Sequence, residues 1–223
     1  MKIDLIPVKK FIIANNLKEV TDSMIFEKGN IPSPNGLLST EIFGVSVTER
    51  KETYAYISLN GHFLHPFIYK TLKRMNRKFE YIVHGSKKFI IDSKGLLVED
   101  EEKGGTGLEW LYKNWDKINF PRNDSTIRNE RINLLSSFDK DTIFTEYWIV
   151  IPAFYRDVNL LSASQGKISH HEINDKYSKL IRLASVLKND NNFDFVLNAT
   201  RAKIQDLLVE IYDLLKGKIE KKQ

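Results

Sequence analysis

Apolar residues near the end of the chain recur at spacings of three, four or seven in two separate stretches. The first stretch places on this spacing Ile173, Tyr177, Leu180, Ala184 and Leu187. The second repeats the same kind of pattern with Leu197, Ile204, Leu208, Ile211 and Leu215. Each pattern is a narrow helical seam suited to a partner helix, and the polar residues 188–192 between them favour a turn. We therefore predict an antiparallel helical hairpin that projects from the body of the protein; the alternative is that both helices pack into a bundle.

The chain before these stretches mixes helical and strand patterns. Helical spacing covers the ranges 8–20, 66–78, 108–118 and 126–138, with Pro66 suited to a first helical turn. Strand patterns cover the ranges 53–64, 79–98 and 145–151. Turns are expected at 31–36, at Asn60-Gly61, at His84-Gly85 and at 93–95. The mixture predicts an α+β fold of helices and short strands.

Composition narrows the class of protein. Of the 223 residues, 42% are hydrophobic and 11% aromatic, which is enough to bury one sizeable core or two small ones. The chain has no cysteine, which excludes disulfides and thiolate zinc sites and makes the cytoplasm the expected location. The apolar start is interrupted at Lys9 and Lys10, too early for a signal peptide or a bilayer span. We expect no membrane association.

Positive charge is concentrated on one predicted helix. The formal net charge is +5, which is compatible with a nucleic-acid partner. In the helix predicted over 66–78, basic residues recur three or four positions apart, so several align along one side. These residues are Lys70, Lys73, Arg74, Arg77 and Lys78. We predict that this basic stripe contacts DNA phosphates.

Catalytic and metal-binding patterns are weak. His62, His65 and His84 are candidate metal ligands, but no carboxylate completes a set with them. The glycine-rich run 104–107 lacks the Lys-Ser/Thr of a phosphate-binding loop. There is no G-x-S-x-G elbow and no cysteine nucleophile. We predict no catalytic residue, no metal site and no cofactor in this chain.

Several segments, taken in order, resemble the N-terminal part of the largest subunit of multisubunit DNA-directed RNA polymerase, called beta prime in bacteria. Residues 36–44, GLLSTEIFG, are similar to the family's G-L-F-x-x-x-I-F-G. Residues 56–72 are similar to its H-I-x-L-x-x-P-V-x-H segment, with Ile57 and Leu59 on the apolar positions and His65 on the final histidine.

Three later segments continue the resemblance in the same order. WIVIPAFYRDVN resembles the family's V-x-P-P-x-x-R-P strand, with Pro152 and Arg156 matching. INDKYSKLIRL resembles L-N-D-L-Y-R-R-V-I-x-R, so that Asn174, Asp175 and Tyr177 match positions of structural character. DLLKGKIEKKQ resembles D-M-I-K-G-K-x-G-R-x-R-Q. The matches touch both ends of the chain, and their shared order is more persuasive than any one motif.

The resemblance implies a non-catalytic clamp that holds DNA and docks a sigma-like promoter-specificity factor. It implies a clamp body over 1–157, with a zipper-like loop near 27–36, and a helical hairpin over 158–223. Arg182 matches a family position that contacts the specificity factor, and Gln205 matches a glutamine on the second clamp helix. With Lys179 and Arg201 they form the predicted partner-binding surface. Lys216 and Lys218 of the last segment join the DNA-binding set. The other polymerase subunits, beta and the rest of beta prime, are the remaining expected partners.

One departure from the family is large, and one further likeness to it fails. The cellular subunit carries a four-cysteine zinc ribbon where this chain has only the nine residues VSVTERKET between Gly44 and Tyr54. Trimmed subunits of this kind look like those of large bacteriophages. The family's catalytic N-A-D-F-D-G-D signature holds magnesium in the complete polymerase, whereas Asn192-Phe193-Asp194-Phe195 has one aspartate where three are needed.

Two other classes of function compete with the clamp. One is a stand-alone nucleic-acid-binding regulator that mimics the clamp and binds host transcription machinery. The other is a metal-dependent nuclease, which is disfavoured because the carboxylates do not cluster with the histidines. A D-F-D-G-D motif in the same or a neighbouring reading frame would distinguish the polymerase module from the regulator.

Overall fold

The computed structural model describes residues 5–27, 31–160, 168–188 and 193–217, without the side chains of 158–160 and 168–170. The helices are α1 (Val8–Ala14), α2 (Thr40–Phe43), α3 (Val47–Glu52), α4 (Pro66–Met75), α5 (Lys78–His84), α6 (Leu108–Asn114), α7 (Thr126–Ser136), α8 (Lys140–Ile143), α9 (Glu172–Val186) and α10 (Asp194–Leu215). The strands are β1 (Lys18–Glu19), β2 (Ala55–Leu64), β3 (Phe89–Ile91), β4 (Leu97–Glu99), β5 (Phe144–Val150), β6 (Val158–Leu160) and β7 (Ile168–His170). The predicted α+β fold is confirmed.

Two compact units are built from interleaved segments of the chain. Unit 1 consists of Met1–Leu5, Gly61–Glu146 and Asn189–Tyr212. Unit 2 consists of Ile6–Asn60, Tyr147–Lys188 and Asp213–Gln223. Residues 157 and 158 both belong to unit 2. The functional division into a body over 1–157 and a hairpin over 158–223 stays a prediction.

The strands form three small sheets. A three-stranded sheet has the order β1-β2-β5, and the pairs β3-β4 and β6-β7 form two-stranded sheets. In unit 2, β1 runs parallel to β2 with Lys18 opposite Ala55. In unit 1, β3 and β4 are antiparallel, with Ile90 opposite Val98. Among the helices that the structure describes, none is long and apolar enough to cross a lipid bilayer.

The core of unit 2 follows the alternation predicted for the strand that begins near Thr53. Ala55, Ile57 and Leu59 of β2 point to the same face and are completely or almost completely buried. The seam of α9 supplies further core residues, and all of its predicted members are buried. The apolar spacing read from the sequence therefore marks the face of each element that is removed from water.

Unit 1 is mainly helical. α4 contacts α5 and α7, and α5 contacts α6. Pro66 begins α4 as predicted, directly after His65, whose side chain accepts a hydrogen bond from the backbone N–H of Phe67. The core includes Phe79 and Leu111 together with Ile204 and Leu208 of α10.

Three predictions of local structure were wrong. The helix predicted over 8–20 ends at Ala14, and Lys18–Glu19 form the strand β1. Residues 79–84, predicted as a strand, belong to the helix α5, because Phe79, Ile82 and Val83 lie on one helical face and are all buried there. Gly85 ends this helix in the left-handed conformation, at a φ of 67°. The predicted end of β2 at Asn60-Gly61 was also wrong, since Asn60 adopts a φ of 55° and the strand continues to Leu64.

The two helices predicted for the hairpin exist, and they fall in different units. α9 belongs to unit 2, and α10 belongs to unit 1 as far as Tyr212. Ile204, Leu208 and Ile211 of the second seam are buried, whereas Leu215 is exposed. The antiparallel pairing and its projection remain predictions. Residues 189–192 of the predicted turn lie outside the described residues.

Gln205 was expected to be exposed to a partner, and this expectation was wrong. Its side chain is completely buried in unit 1. The amide oxygen accepts a hydrogen bond from the backbone N–H of Leu64, and the amide nitrogen donates to the Leu64 carbonyl, both at 2.9 Å. One side chain thus satisfies both backbone groups of a buried residue 141 positions away in sequence. Gln205 holds β2 to α10 instead of reaching a partner.

Replacement of this amide is expected to destabilise the protein. Gln205→Leu leaves the buried N–H and C=O of Leu64 without partners, at a cost of about 1 to 3 kcal/mol for each group. We expect the free energy of unfolding, measured by urea denaturation with circular dichroism, to fall by about 2 kcal/mol or more. Lys203→Leu, at an exposed position of the same helix, is the control and should change stability by less than about 0.5 kcal/mol. Equal effects of the two substitutions would contradict this role of Gln205.

Candidate nucleic-acid and partner interface

Arg156 is the most unusual charged residue of unit 2, because it is completely buried. Its Nε donates to the Ile151 carbonyl at 2.9 Å, and its Nη1 donates to the Asn174 side-chain oxygen at 2.8 Å. Asn174 returns a hydrogen bond from its amide nitrogen to the Arg156 carbonyl at 2.7 Å. The guanidinium carbon lies 4.6 Å from the centre of the Phe43 ring. The remaining nitrogen, Nη2, is buried without an acceptor among the described residues.

The environment of Arg156 is polar but has no carboxylate within ion-pair distance among the described residues. Burial lowers the pKa of the Arg156 guanidinium to about 10, so the group still carries its charge at neutral pH. Carbonyl oxygens and the faces of Phe43 and Tyr177 replace the counter-ion. Burial also raises the pKa of the Tyr177 hydroxyl to about 12. Arg156, Asn174, Phe43 and Tyr177 therefore form a charged cluster in the core, called the Arg156 hub, which is closed to external ligands.

This hub joins residues from three of the segments that carry the polymerase resemblance. Phe43 belongs to GLLSTEIFG, Arg156 to WIVIPAFYRDVN, and Asn174 and Tyr177 to INDKYSKLIRL. The Tyr177 hydroxyl also lies within hydrogen-bonding distance of backbone groups of the strand segment before Pro152. Segments that are far apart in sequence thus meet through the side chains that match the family pattern.

The outer face of α9 carries two of the predicted partner-binding residues. Lys179 and Arg182 are exposed, whereas Tyr177, Leu180 and Ile181 beside them are buried. Val186, one turn beyond Arg182, is also exposed at 36%. The buried hub holds the inner face of this helix, so the two cations are presented on a fixed backbone. Their positions are consistent with the predicted surface.

Arg201 was expected to contribute to the same surface, but it lies in unit 1 and only 17% of its side chain is exposed. Its Nε lies 3.8 Å from a Glu109 carboxylate oxygen, and its Nη1 donates to the Asn198 side chain at 3.3 Å. An ion pair and a hydrogen bond within unit 1 therefore hold the guanidinium against the protein. The expected exposure of Arg201 was wrong.

The predicted basic stripe is divided between two helices. α4 ends at Met75 and α5 begins at Lys78, so the five cations do not follow one helical face. Glu80 forms ion pairs with two of them: its carboxylate lies 2.8 Å from Lys73 Nζ and 3.7 Å from Arg77 Nε. The hydrogen bond from Lys73 lowers the pKa of Glu80. Sequence spacing did not reveal this partial neutralisation.

The other members of the DNA-binding set differ in their surroundings. Lys70 lies over the Tyr212 ring at 5.8 Å, and Lys78 Nζ donates to the Leu97 carbonyl at 2.7 Å. Arg74 is exposed and makes no ion pair with the part of the chain that the structure describes. Lys216 is exposed in unit 2, and Lys218 lies outside the described residues.

The histidines are engaged within unit 1. His62 stacks on Tyr112 at 3.6 Å, with Nδ1 3.5 Å from Glu109 and Nε2 3.6 Å from Glu146. Burial by itself lowers the pKa of His84, but hydrogen bonds to the Glu80 carbonyl and Asp206 outweigh burial and raise it. No group of three or more His, Asp or Glu in the described residues is arranged to hold a metal ion.

Asp194 does not fit the family's magnesium site. It begins α10 between Phe193 and Phe195, which are 74% and 72% exposed. A single carboxylate cannot supply the shared ligand set of a two-metal centre.

The Arg156 hub leads to a stability prediction. Asn174→Leu leaves a buried guanidinium without its side-chain acceptor and should lower the free energy of unfolding by about 3 kcal/mol or more. Arg156→Met removes the donors to the Asn174 side-chain oxygen and to the Ile151 carbonyl and should cost about 1 to 3 kcal/mol. In the double variant the cost should fall short of the sum by at least about 1 kcal/mol.

Chemical denaturation of the four proteins measures this coupling. Lys179→Met on the exposed face of α9 is the matched control and should change stability by less than about 0.5 kcal/mol. Strict additivity of the two hub substitutions would show that Arg156 and Asn174 stabilise the fold independently.

Comparison with known proteins identified no family for this chain. No protein-family model matches the chain, and a search of curated protein sequences returned no match.

Proposed function

We propose that the chain is a non-catalytic module of a multisubunit DNA-directed RNA polymerase, equivalent to the clamp part of the largest subunit. In this role it holds DNA and docks a sigma-like promoter-specificity factor during transcription. The observation that carries the proposal is the meeting of Phe43, Arg156, Asn174 and Tyr177 in one buried hub. All four residues match the family pattern.

This observation supports the proposal because the matching residues come from segments that lie far apart in the sequence. A chance resemblance of short segments does not require their matching side chains to contact one another. Here the amide of Asn174 and the guanidinium of Arg156 form reciprocal hydrogen bonds, and Phe43 packs on the same guanidinium. The matching residues therefore form one structural unit, as residues retained for a shared fold would.

The docking surface in this proposal is the outer face of α9, reduced to Lys179 and Arg182. Exposed cations on a rigid helix steer an acidic partner and fix its orientation. Gln205 and Arg201 are left out because both are engaged inside unit 1. A smaller surface of this kind implies a few anchoring contacts surrounded by neutral ones.

DNA contact in this proposal is electrostatic and independent of base sequence. Arg74 is exposed, and Lys78 makes no ion pair with a described carboxylate; its Nζ donates to the Leu97 carbonyl. Such cations bind phosphates and carry no base-reading code. Because Glu80 offsets Lys73 and Arg77, binding by the isolated chain should be weak.

The docking surface can be tested by charge reversal. The chain and its Arg182→Glu variant are immobilised, and capture of a purified sigma-type factor encoded by the same genome is measured. We expect Arg182→Glu to reduce capture by about tenfold, because one attractive charge becomes repulsive. Helicity by circular dichroism should be unchanged, since Arg182 is exposed. Lys113→Glu, at an exposed position of unit 1, is the control.

Undiminished capture by Arg182→Glu would place the docking surface elsewhere. Capture of the factor by a chain that never assembles with polymerase subunits would favour the stand-alone regulator over the polymerase module.

DNA binding provides a second test. We expect weak, sequence-independent binding of duplex DNA. The association constant should fall steeply with salt, so that its logarithm plotted against the logarithm of the salt concentration has a slope of about −0.9 for each phosphate neutralised. Arg74→Gln should lower the magnitude of that slope by about one unit, as measured by fluorescence anisotropy at several salt concentrations. Glu80→Gln should strengthen binding, because it releases Lys73 and Arg77. Binding that is insensitive to salt or strongly selective for one sequence would count against this interface.

A further inference from the structure

Unit 1 contains a groove that neither the sequence patterns nor the resemblance indicated. Its volume is about 310 Å³. The end of α4, the start of α5, the turn before β4, residues 118–121 and Arg128 of α7 form its walls. Phe79, Leu97, Val98, Phe120 and Pro121 supply apolar surface, and Lys78, Arg128 and Asp92 supply charge.

The two cations of the groove are held by backbone carbonyls. Lys78 Nζ donates to the Leu97 carbonyl at 2.7 Å. Arg128 donates from Nε to the Pro121 carbonyl at 3.0 Å and from Nη1 to the Met75 carbonyl at 3.2 Å. These bonds fix both side chains while leaving further N–H groups on each. Neither cation has an ion-pair partner in the described part of the chain.

This arrangement differs from that of the neighbouring cations on α4 and α5. Lys73 and Arg77 share the carboxylate of Glu80, which offsets their charge. Carbonyl oxygens orient Lys78 and Arg128 without adding a negative charge. The one carboxylate of the groove, Asp92, accepts hydrogen bonds from the backbone N–H groups of Lys94 and Leu96 through Oδ1. The groove therefore keeps an excess of positive charge.

The apolar wall is firm. Phe79 and Phe120 are nearly parallel, with ring centres 5.9 Å apart, and Trp115 packs against Phe120 at 5.8 Å. The turn before β4 is held by the Asn119 N–H, which donates to the Gly95 carbonyl at 2.8 Å. A Cβ at Gly95 would lie 2.7 Å from the Asn119 side chain, so this turn approaches the 118–121 wall as closely as glycine allows.

We propose that this groove binds a phosphate-bearing nucleotide unit, either a free nucleotide or the phosphorylated end of a nucleic-acid strand. The ammonium of Lys78 and the guanidinium of Arg128 receive the phosphate. The sugar and base lie against Phe120, Val98 and Pro121. The volume suits one such unit. The proposal deepens the proposed DNA-binding function and rests on it.

An extended acidic peptide fits the groove less well. Such a peptide would add to the outer edge of β4 and would need the backbone carbonyl groups along that edge. Lys78 already occupies the Leu97 carbonyl, so strand addition would have to displace it. A compact anion with an apolar body requires no such change.

Calorimetric titration of the full chain tests the proposal. The probes are deoxyadenosine 5′-monophosphate, deoxyadenosine, and a short single strand with either a 5′-phosphate or a 5′-hydroxyl. We expect each phosphorylated probe to bind at least about tenfold more tightly than its unphosphorylated counterpart, because only the phosphate makes charge-assisted hydrogen bonds. Binding of the mononucleotide supports a free-nucleotide site. Binding of the phosphorylated strand alone supports a strand-end site.

Variants connect this binding to the groove. Lys78→Gln and Arg128→Gln should each weaken binding of the phosphorylated probe by about tenfold. Val98→Glu brings a carboxylate to the groove at a position that is 42% exposed, and it should weaken binding similarly without removing any described hydrogen bond. It therefore keeps the test informative if loss of the Arg128 contacts unfolds the chain. Lys113→Gln makes the same charge change at an exposed position outside the groove.

The outcomes of these experiments distinguish the groove proposal from the proposed DNA-holding function. Equal loss of binding in Lys113→Gln and Lys78→Gln, equal affinity for phosphorylated and unphosphorylated probes, or tighter binding of a polyglutamate peptide would each overturn the groove assignment. If the phosphorylated probes fail to bind while duplex DNA still binds with the expected salt dependence, the groove proposal fails and the DNA-holding function stands.

Discussion

The buried guanidinium of Arg156 is the interaction on which the architecture of unit 2 depends. A charge that is removed from water without a counter-ion is costly, so it persists only where several groups satisfy it together. The carbonyl of Ile151, the amide of Asn174 and the rings of Phe43 and Tyr177 do so. These contacts tie the segment after β5 to the first turns of α9 and to α2.

This constraint also determines what α9 can offer to a partner. Asn174 and Tyr177 lie on the side of α9 that faces the core, and their contacts fix the orientation of the helix about its own axis. Lys179 and Arg182 are consequently directed outward on a backbone that does not need to reorganise on binding. In the proposed docking role, preorganisation of this kind would reduce the entropic cost of association on a small surface.

In unit 1, the pairing of each cation decides whether it is available to an anion. Lys73 and Arg77 lie beside Glu80, whereas Lys78 and Arg128 are positioned by carbonyl oxygens. The carboxylate of Glu80 offsets the positive charge of its neighbours, whereas neutral carbonyl oxygens do not. Within the stripe from 70 to 78, the charge of Lys73 and Arg77 is offset by Glu80, whereas Arg74 is exposed and Lys78 is held by a carbonyl oxygen. Arg128 was missed because it lies 53 residues from its carbonyl partner Met75, and no local spacing connects the two.

The sequence by itself determined the α+β class, the positions of most helices and strands, and the buried face of β2 and α9. These features depend on periodicity, and a periodic pattern is complete within a few residues. Only the tertiary structure decided that residues 78–84 are helical and that β2 passes through Asn60. It likewise decided that Gln205 is buried and which cations are paired with a carboxylate. Each of these outcomes depends on a neighbour that folding brings from elsewhere in the chain, such as Leu64 for Gln205 at a separation of 141 residues. Burial and pairing are properties of the assembled core, so no local pattern could have contained them.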